Sequence, residues 1–429
     1  VPAGSYVVDF AQPQGRLAKA LLEPDAQLVS SFIRQELESR RTSQPERFYD
    51  VTAWSLPYTF RVNAWWTRGP VAGAETVTAA SLDRQPVDAS PSPAPAYGYA
   101  FEAGSEAGIR LLATLLRDSV RVWYAPRAFR SGTASFPKGA LVVRAASNDT
   151  SVRRRVSEGM TVTGARVVPL RSAMVDEGTD LGSNSVIPIR IPRVALVGGA
   201  PVQGNSFGFS WYAFDQRIGY PVTTVAAASI GAPMLANFDV LVIPSVGAGA
   251  LDNVLGDGGR AALVAWVRNG GVLVTLDGAT AWLAGERLGL SRLRMRRDTT
   301  RADSTGGAPL PSGVPGAILR TYGDTLSPLL AGVRSAVIPV LMFSDRIYTV
   351  PRDLRAGEAV IRYAPEPRLR LAGYLWPEVP GRVASTPYLW TERVGRGRVI
   401  SFAGDPNFRD MWRGLLPVFA NAVLLGGSF

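Results

Sequence analysis

Three short apolar runs, separated by helix-sized stretches, constrain this chain more than any other feature. They are Arg193-Val-Ala-Leu-Val-Gly-Gly199, Phe238-Asp-Val-Leu-Val-Ile-Pro-Ser245 and Val272-Leu-Val-Thr-Leu-Asp277. Strands that read as continuous aliphatic runs, without polar alternation, are covered on both faces, as in a parallel sheet sandwiched by helices. Between the runs, Trp211–Ile218 reads as helical and Tyr220–Val225 as a further strand. Arg260–Arg268 reads as a helix with Leu263, Trp266 and Val267 inward, closed by Asn269-Gly270-Gly271. The pattern predicts an α/β fold with a doubly wound, mainly parallel sheet over 191–429. A Gly/Pro/Ser/Thr loop near 298–317 interrupts it, after an Arg/apolar alternation at 292–297 that reads as an edge strand. Gly397–Ala403 then reads as a late strand, and Trp412–Leu425 as a terminal helix.

The first 190 residues predict a smaller α/β region. Helices are expected over Gly15–Leu22 and Asp25–Arg41, with a strand at Phe48–Pro57. Residues 84–96 are a Pro/Ser/Ala linker. Beyond it come a strand at Tyr97–Phe101, a helix at Ser105–Arg117, and strands at Val120–Tyr124 and Ala140–Arg144. A short helix at Asp149–Gly159 leads to a strand at Ala165–Val168, which Pro169 is expected to stop. The chain therefore divides into an accessory region, 1–190, and an α/β domain, 191–429.

The 429 residues include neither His nor Cys. That removes a Ser-His-Asp triad, a thiolate nucleophile, an H-E-x-x-H zinc helix and any disulfide framework. Carboxylate chemistry stays open: a hard-ion site, although no D-x-[DN]-x-[DN]-G loop is present, or a carboxylate pair of the glycosidase kind. The net charge is +11, yet only Lys19 and Lys138 of the 46 basic residues are lysines, a bias that reads as composition rather than function. The basic clusters are short, so a solvated face is expected and nucleic acid is not a predicted partner. No apolar run reaches the length of a membrane span. The start at Val1, without a leader, reads as a mature or excised fragment.

Two resemblances follow from specific phrases. The order of elements in 193–429 resembles the class I glutamine-amidotransferase-like (flavodoxin-like) fold. The carriers are the strand Asp239–Pro244, the glycine pair before Val272–Asp277, Ser327-Pro-Leu-Leu-Ala-Gly332 and Gly395-Arg-Gly-Arg-Val-Ile-Ser-Phe402. The resemblance implies a cysteine at the strand-to-helix elbow, where Leu276 is expected to stand, and a histidine after the late strand, where Asp405 stands. Both are lost, so the domain is expected to be degenerate. Nearly the whole chain is also similar to the region that follows the peptidase domain in large bacterial zinc carboxypeptidases of the carboxypeptidase A-like family. Here the carriers are Pro2-Ala-Gly-Ser-Tyr-Val-Val8, Gln12-Pro-Gln-Gly-Arg-Leu-Ala18, Leu21-Leu-Glu-Pro-Asp25, Phe48–Tyr58 and Asn407-Phe-Arg409 with Asn421-Ala422. That resemblance implies an exported, extracytoplasmic protein and an upstream zinc domain as partner, with no zinc or other cofactor held by this chain.

Candidate residues are few. The C-terminal edge of a parallel sheet is the usual ligand crevice, and Ser245, Asp277, Asp405 and Arg409 are expected to converge there. Capping and turn roles compete with ligand binding at all four, and no catalytic or metal-ligating residue is assigned. Ser135-Phe-Pro-Lys138 matches S-x-x-K, but Pro137 lies where that chemistry needs a helical turn, so a turn is expected. Gly198–Gly208 reads as a tight strand-to-helix loop rather than an anion cradle. Trp54, Trp65, Trp66 and Trp123 are expected mostly in the core rather than on a stacking platform. The chain is thus expected to be a non-catalytic accessory portion of a carboxypeptidase-like protein. A stand-alone binding or structural subunit, docking other proteins, is the alternative, and a carboxylate hydrolase using Asp277 and Asp405 is the third reading.

Overall fold

The computed structural model describes residues 1–42, 44–78, 97–247, 249–285, 287–296, 313–349, 351–355 and 357–429. The expected linker at 84–96 and most of the loop at 298–317 lie outside the described residues. The protein is a mixed α/β structure built on two principal sheets.

The smaller sheet comes from β1 (Gly98–Phe101), β2 (Trp123–Tyr124), β5 (Leu141–Arg144), β6 (Val167–Leu170) and β7 (Ile187–Pro188), in the order β6-β1-β5-β2-β7. Every pairing in it is antiparallel. A separate hairpin, β3 (Phe129–Ser131) with β4 (Ala134–Phe136), holds Ser135, and Lys138 follows in the turn. The helix Glu106–Arg117 starts at the cap Ser105, whose hydroxyl accepts the Gly108 N–H at 3.2 Å. Its Leu111, Leu112, Leu115 and Leu116 are fully buried. Strand β6 runs through Pro169 instead of stopping there. It is an edge strand paired only with β1, so the missing proline N–H costs no ladder bond.

The larger sheet contains β8 (Val194–Gly198), β9 (Thr223–Ala226), β10 (Val240–Ile243), β11 (Val272–Leu276), β13 (Ala317–Gly323), β14 (Val337–Met342), β16 (Ala359–Tyr363), β17 (Arg370–Ala372), β18 (Pro387–Val394) and β19 (Gly397–Phe402). The order is β14-β13-β16-β18-β19-β11-β10-β8-β9, with β17 paired to β13. The strands β9, β8, β10, β11 and β19 are mutually parallel, as the apolar runs predict. The other five are antiparallel, so the sheet is not doubly wound throughout. The reason is local. The turn between β18 and β19 is too short for the crossover that a parallel pair requires, and a hairpin results. A two-stranded ribbon of β12 (Arg294–Met295) and β15 (Tyr348–Thr349) absorbs the Arg-rich segment.

Helical boundaries move where the backbone demands it. The second helix starts at Ser30 rather than Asp25. Gly204–Tyr212 is α-helical and passes into a π-helical stretch, Ala213–Ile218. The helix expected at Arg260–Arg268 extends back to Ala250, through a kink at Gly256. The segment Phe48–Pro57 is no strand; a short helix, Leu56–Phe60, forms at its end.

Residues 1–78 lie against the large sheet's half of the molecule. The Thr52 N–H donates to the Gly316 carbonyl at 2.8 Å, Asp25 is paired with Arg370 at 2.8 Å, and Arg40 lies 4.4 Å over the Trp376 ring. Arg40 also pairs with Glu378. The two sheets share one continuous apolar core, in which Leu112 and Leu116 join the same cluster as Phe214, Phe419 and Leu424. Glu106 bonds Arg413 at 2.5 Å, and Arg413 and Arg217 both hold Asp410, tying the helix Glu106–Arg117 to the far half.

The β18–β19 turn shows how tightly this packing depends on glycine. Gly395 has φ +61°, and a Cβ at Gly397 would stand 1.9 Å from the Val267 carbonyl oxygen. That oxygen belongs to the last turn of the helix Ala250–Arg268, which the turn underlies. Gly397→Ala should therefore destabilise the protein by about 3 kcal/mol, because backbone and not a flexible side chain must yield. Urea unfolding of the variant beside the parent checks this.

Candidate functional site

The carboxyl ends of β8, β10, β11 and β19 point to one edge of the large sheet. Because β18 and β13 run antiparallel, that edge also receives the end of β16 at Tyr363, the start of β18 at Tyr388 and the segment after β14. The crevice is built from these ends.

Asp277 follows β11 at the strand-to-helix elbow, immediately before the helix Gly278–Leu283. Its backbone lies at φ +47°, ψ −109°, a conformation that side-chain-bearing residues rarely adopt. Three backbone bonds hold it: the Asp277 N–H donates to the Phe402 carbonyl at 3.0 Å, and the Thr280 and Ala281 N–H groups donate to the Asp277 carbonyl at 3.0 and 3.2 Å. Close approach leaves no alternative. A Cβ at Gly278 would fall 2.2 Å from the Val246 carbonyl oxygen, so the residue after the elbow must be glycine. The elbow residue is Asp277 and not Leu276, which is fully buried in the sheet.

The side chains form a chain of hydrogen bonds. Arg346 Nη1 donates to Asp277 Oδ1 at 2.7 Å, and the Ser245 hydroxyl donates to Asp277 Oδ2 at 2.8 Å. Ser245 Oγ also accepts the Gly278 N–H at 3.2 Å. The Ser245 N–H in turn donates to Ser206 Oγ at 3.0 Å, and the Ser206 hydroxyl donates to Asp405 Oδ2 at 2.6 Å. Asp405 Oδ1 accepts the Asn407 N–H at 2.9 Å. Three expected residues, Ser245, Asp277 and Asp405, are thus linked through Ser206, which sequence reasoning passed over. Ser206 sits in the first turn of the helix after β8, inside the Gly198–Gly208 loop; nothing in its local pattern distinguishes it from a capping serine.

Arg409 does not join them. At φ +52°, its guanidinium bonds Asp50 at 2.7 Å and stacks over the rings of Trp54 and Phe408, at 5.6 and 4.8 Å. Its partner comes from residues far away in sequence, which the sequence could not reveal. The tryptophans divide: Trp123 is buried, Trp54 partly so, and Trp65 and Trp66 are exposed.

Electrostatics single out Asp405. Burial pushes its carboxyl up to about 6, and the nearby Asp277 charge adds to the rise, against hydrogen bonds from Ser206 and Asn407 that favour the anion. Burial also holds the hydroxyls of Tyr348, Tyr363 and Tyr388 above the ordinary tyrosine range, with Asp277 reinforcing each. Among the described residues no group of three or more carboxylates is arranged to hold a metal ion. No helix there is long and apolar enough to cross a membrane.

No family model matches the sequence, and comparison with curated proteins finds no match. Solved structures do align. A protein described as ThuA-like from Bacteroides uniformis covers 54% of this chain and 91% of its own, at 14% identity and a TM-score of 0.37. PurLQS from Thermotoga maritima covers 54% and 97%, at 12% identity and a TM-score of 0.37. A β-galactosidase from Bacillus circulans covers 68% and 38%, at 11% identity and a TM-score of 0.32. At this distance the likenesses carry no chemistry to the present chain, and the reading of the site rests on its own geometry.

Asp405 generates a sign-specific prediction. Its folded-state pKa lies above that of an unfolded aspartate, so the native state binds the extra proton and stability falls as pH rises from about 4 to about 6. Asp405→Asn removes the titrating group, so the variant should lose stability less steeply than the parent across that window. Urea midpoints measured at both ends of the window check it; equal slopes would remove the argument.

Proposed function

We propose that this chain is a non-catalytic accessory portion of a secreted zinc carboxypeptidase-like protein, supporting or docking the peptidase domain or its substrate. One observation carries the non-catalytic part of the reading. The strained elbow presents a carboxylate already engaged by Arg346 at 2.7 Å and by Ser245 at 2.8 Å. A nucleophile needs an adjacent base and a free line of attack. Asp277 instead has both oxygens occupied, one by Arg346 and one by Ser245, and the chain contains no imidazole or thiol to take the role. The peptidase context rests on the sequence resemblance alone, as do zinc in an upstream domain and an extracytoplasmic location.

The test compares the parent protein with and without this portion, and this portion by itself. The isolated chain should show no carboxypeptidase turnover, and its removal should lower the parent's kcat/KM or its thermal stability. A loss of about tenfold in kcat/KM corresponds to about 1.4 kcal/mol of lost transition-state stabilisation. Turnover by the isolated chain, or a truncated parent with unchanged activity and stability, overturns the reading.

Asp405 favours a second reading, a carboxylate hydrolase. A carboxyl raised to about 6 near a second carboxyl that is paired with an arginine is an arrangement that general acid–base catalysis can use. In that case Asp405→Asn should abolish turnover of an ester or glycoside substrate by the isolated chain, with Asp277→Asn a second loss. A stand-alone binding subunit is the remaining alternative. The exposed Tyr6, Val7, Val8, Tyr49, Trp65 and Trp66 on the N-terminal segment favour it.

A further inference from the structure

We propose that a groove on the outer face of the helix Ala250–Arg268 docks an extended acidic peptide segment of a partner protein. The groove measures about 590 Å³ between the second half of that helix and the segment Arg287-Leu288, and it shares no residue with the strand-end crevice. Helical spacing makes it. Asp257, Arg260, Val264 and Arg268 recur at three- and four-residue intervals beyond the Gly256 kink, so they line one face, while Leu263 and Val267 turn inward to the core. Ala261 and Ala265 lie beside them, and with Val264 and the buried Leu288 they give the groove an apolar floor free of bulky side chains.

A buried carboxylate fixes the cations at one end. Asp252 is 8% exposed, and Trp282 Nε1 donates to its Oδ1 at 3.0 Å while Arg287 Nη1 donates to its Oδ2 at 3.2 Å. Arg260 Nη1 donates to the Asp252 carbonyl at 3.0 Å. Two guanidiniums from separate segments are thereby held to one residue, each with N–H donors left over. Asp257, whose side chain is wholly exposed, already seats its carboxylate on Arg260, which shows the class of group this end accepts. At the other end Arg268 is exposed, and among the described residues its side chain has no hydrogen bond or ion pair. The Arg396 N–H donates to the Arg268 carbonyl at 2.9 Å, so a second exposed arginine continues the basic track past the helix end.

Charge complementarity and spacing select the occupant. Arg260 and Arg268 stand two helical turns apart, about 12 Å along the axis. In an extended peptide, side chains i, i+2 and i+4 share a face, and i to i+4 spans about 13 Å. Two acidic residues at that spacing reach both ends of the groove while the residue midway meets its apolar floor. The net charge of +11 favours the approach of such a segment from a distance. A single-stranded nucleic acid would call for aromatic faces on which its bases stack. None lines the groove: Trp266 turns its indole N–H to the Phe238 carbonyl at 3.1 Å, and Trp282 is buried. The proposal goes beyond the accessory reading and does not rest on it, since an acidic partner docks here with or without a peptidase domain.

The test is saturation-transfer NMR of a capped peptide with glutamate at each end, valine at its centre and serine between, titrated against the full chain. One control peptide replaces both glutamates by glutamine, and another places the two glutamates side by side. At about pH 7 and low ionic strength the expected result is saturable binding with a dissociation constant on the order of 1 mM. Sodium chloride at about 0.3 M should weaken it by at least about fivefold. Arg268→Ala should weaken it by about fivefold, and Ala265→Phe, which fills the groove, by about tenfold. Both positions are exposed and hold no other side chain, so these variants keep the fold. Absence of saturation up to about 20 mM peptide overturns the proposal, as does equal binding of either control. Unchanged affinity in Arg268→Ala or in Ala265→Phe does so as well. A short oligothymidylate that displaces the peptide and binds more tightly assigns the groove to nucleic acid instead.

Discussion

The parallel pairing of β11 with β19 is the contact on which the rest of the molecule depends. It runs in register from Val272 against Arg398 to Leu276 against Phe402. On one side of this seam lie the parallel strands β10, β8 and β9; on the other lies the antiparallel half that begins with the β18–β19 hairpin. The two partners are more than a hundred residues apart in the chain, and the whole antiparallel half is inserted between them. The seam is reinforced by buried hydroxyls: Thr275 bonds Ser401 at 3.1 Å, and Thr280 donates to the Phe402 carbonyl at 2.7 Å. Polar groups in a dry interior must be satisfied, and here they are satisfied across the seam itself, so a slip of register would orphan them.

The same seam makes the crevice. Leu276 ends β11 opposite Phe402, and Asp277 then bonds back to the Phe402 carbonyl, which turns the chain through its strained elbow. Asp405 leaves β19 three residues after the same point. Two carboxylates are therefore delivered to one edge because two parallel strands stop together. The serines bridge them, since Ser206 and Ser245 follow the two neighbouring parallel strands. The site is a consequence of sheet topology, with Arg346 added from the antiparallel half.

Burial gives these groups different fates. Asp277 meets an arginine and is compensated; Asp405 meets two neutral donors and another carboxylate, and its proton affinity rises. Arg409, only four residues beyond Asp405, is carried outward to Asp50 and Trp54 by a residue of positive φ. It serves to anchor the N-terminal segment against the edge of the crevice. Neighbours in sequence thus take separate roles, because the turn after β19 reverses direction between them.

The sequence by itself determined the parallel strands. Runs such as Val240–Ile243 and Val272–Leu276 can be buried only between two layers, and the absence of His and Cys closed off whole classes of chemistry. It also placed Ser245, Asp277 and Asp405 at strand ends, since the end of an apolar run is visible locally. Tertiary structure alone decided the remainder. Antiparallel partners β13, β14, β16 and β18 carry no local mark of which neighbour they will choose, and Pro169 is tolerated only because β6 falls at an edge. Ser206 and Arg346 reach the crevice, and Arg409 leaves it, through contacts between segments tens to hundreds of residues apart. Periodicity reports what a residue does to its own strand or helix; it has no term for which distant side chain will supply a charge or withhold one.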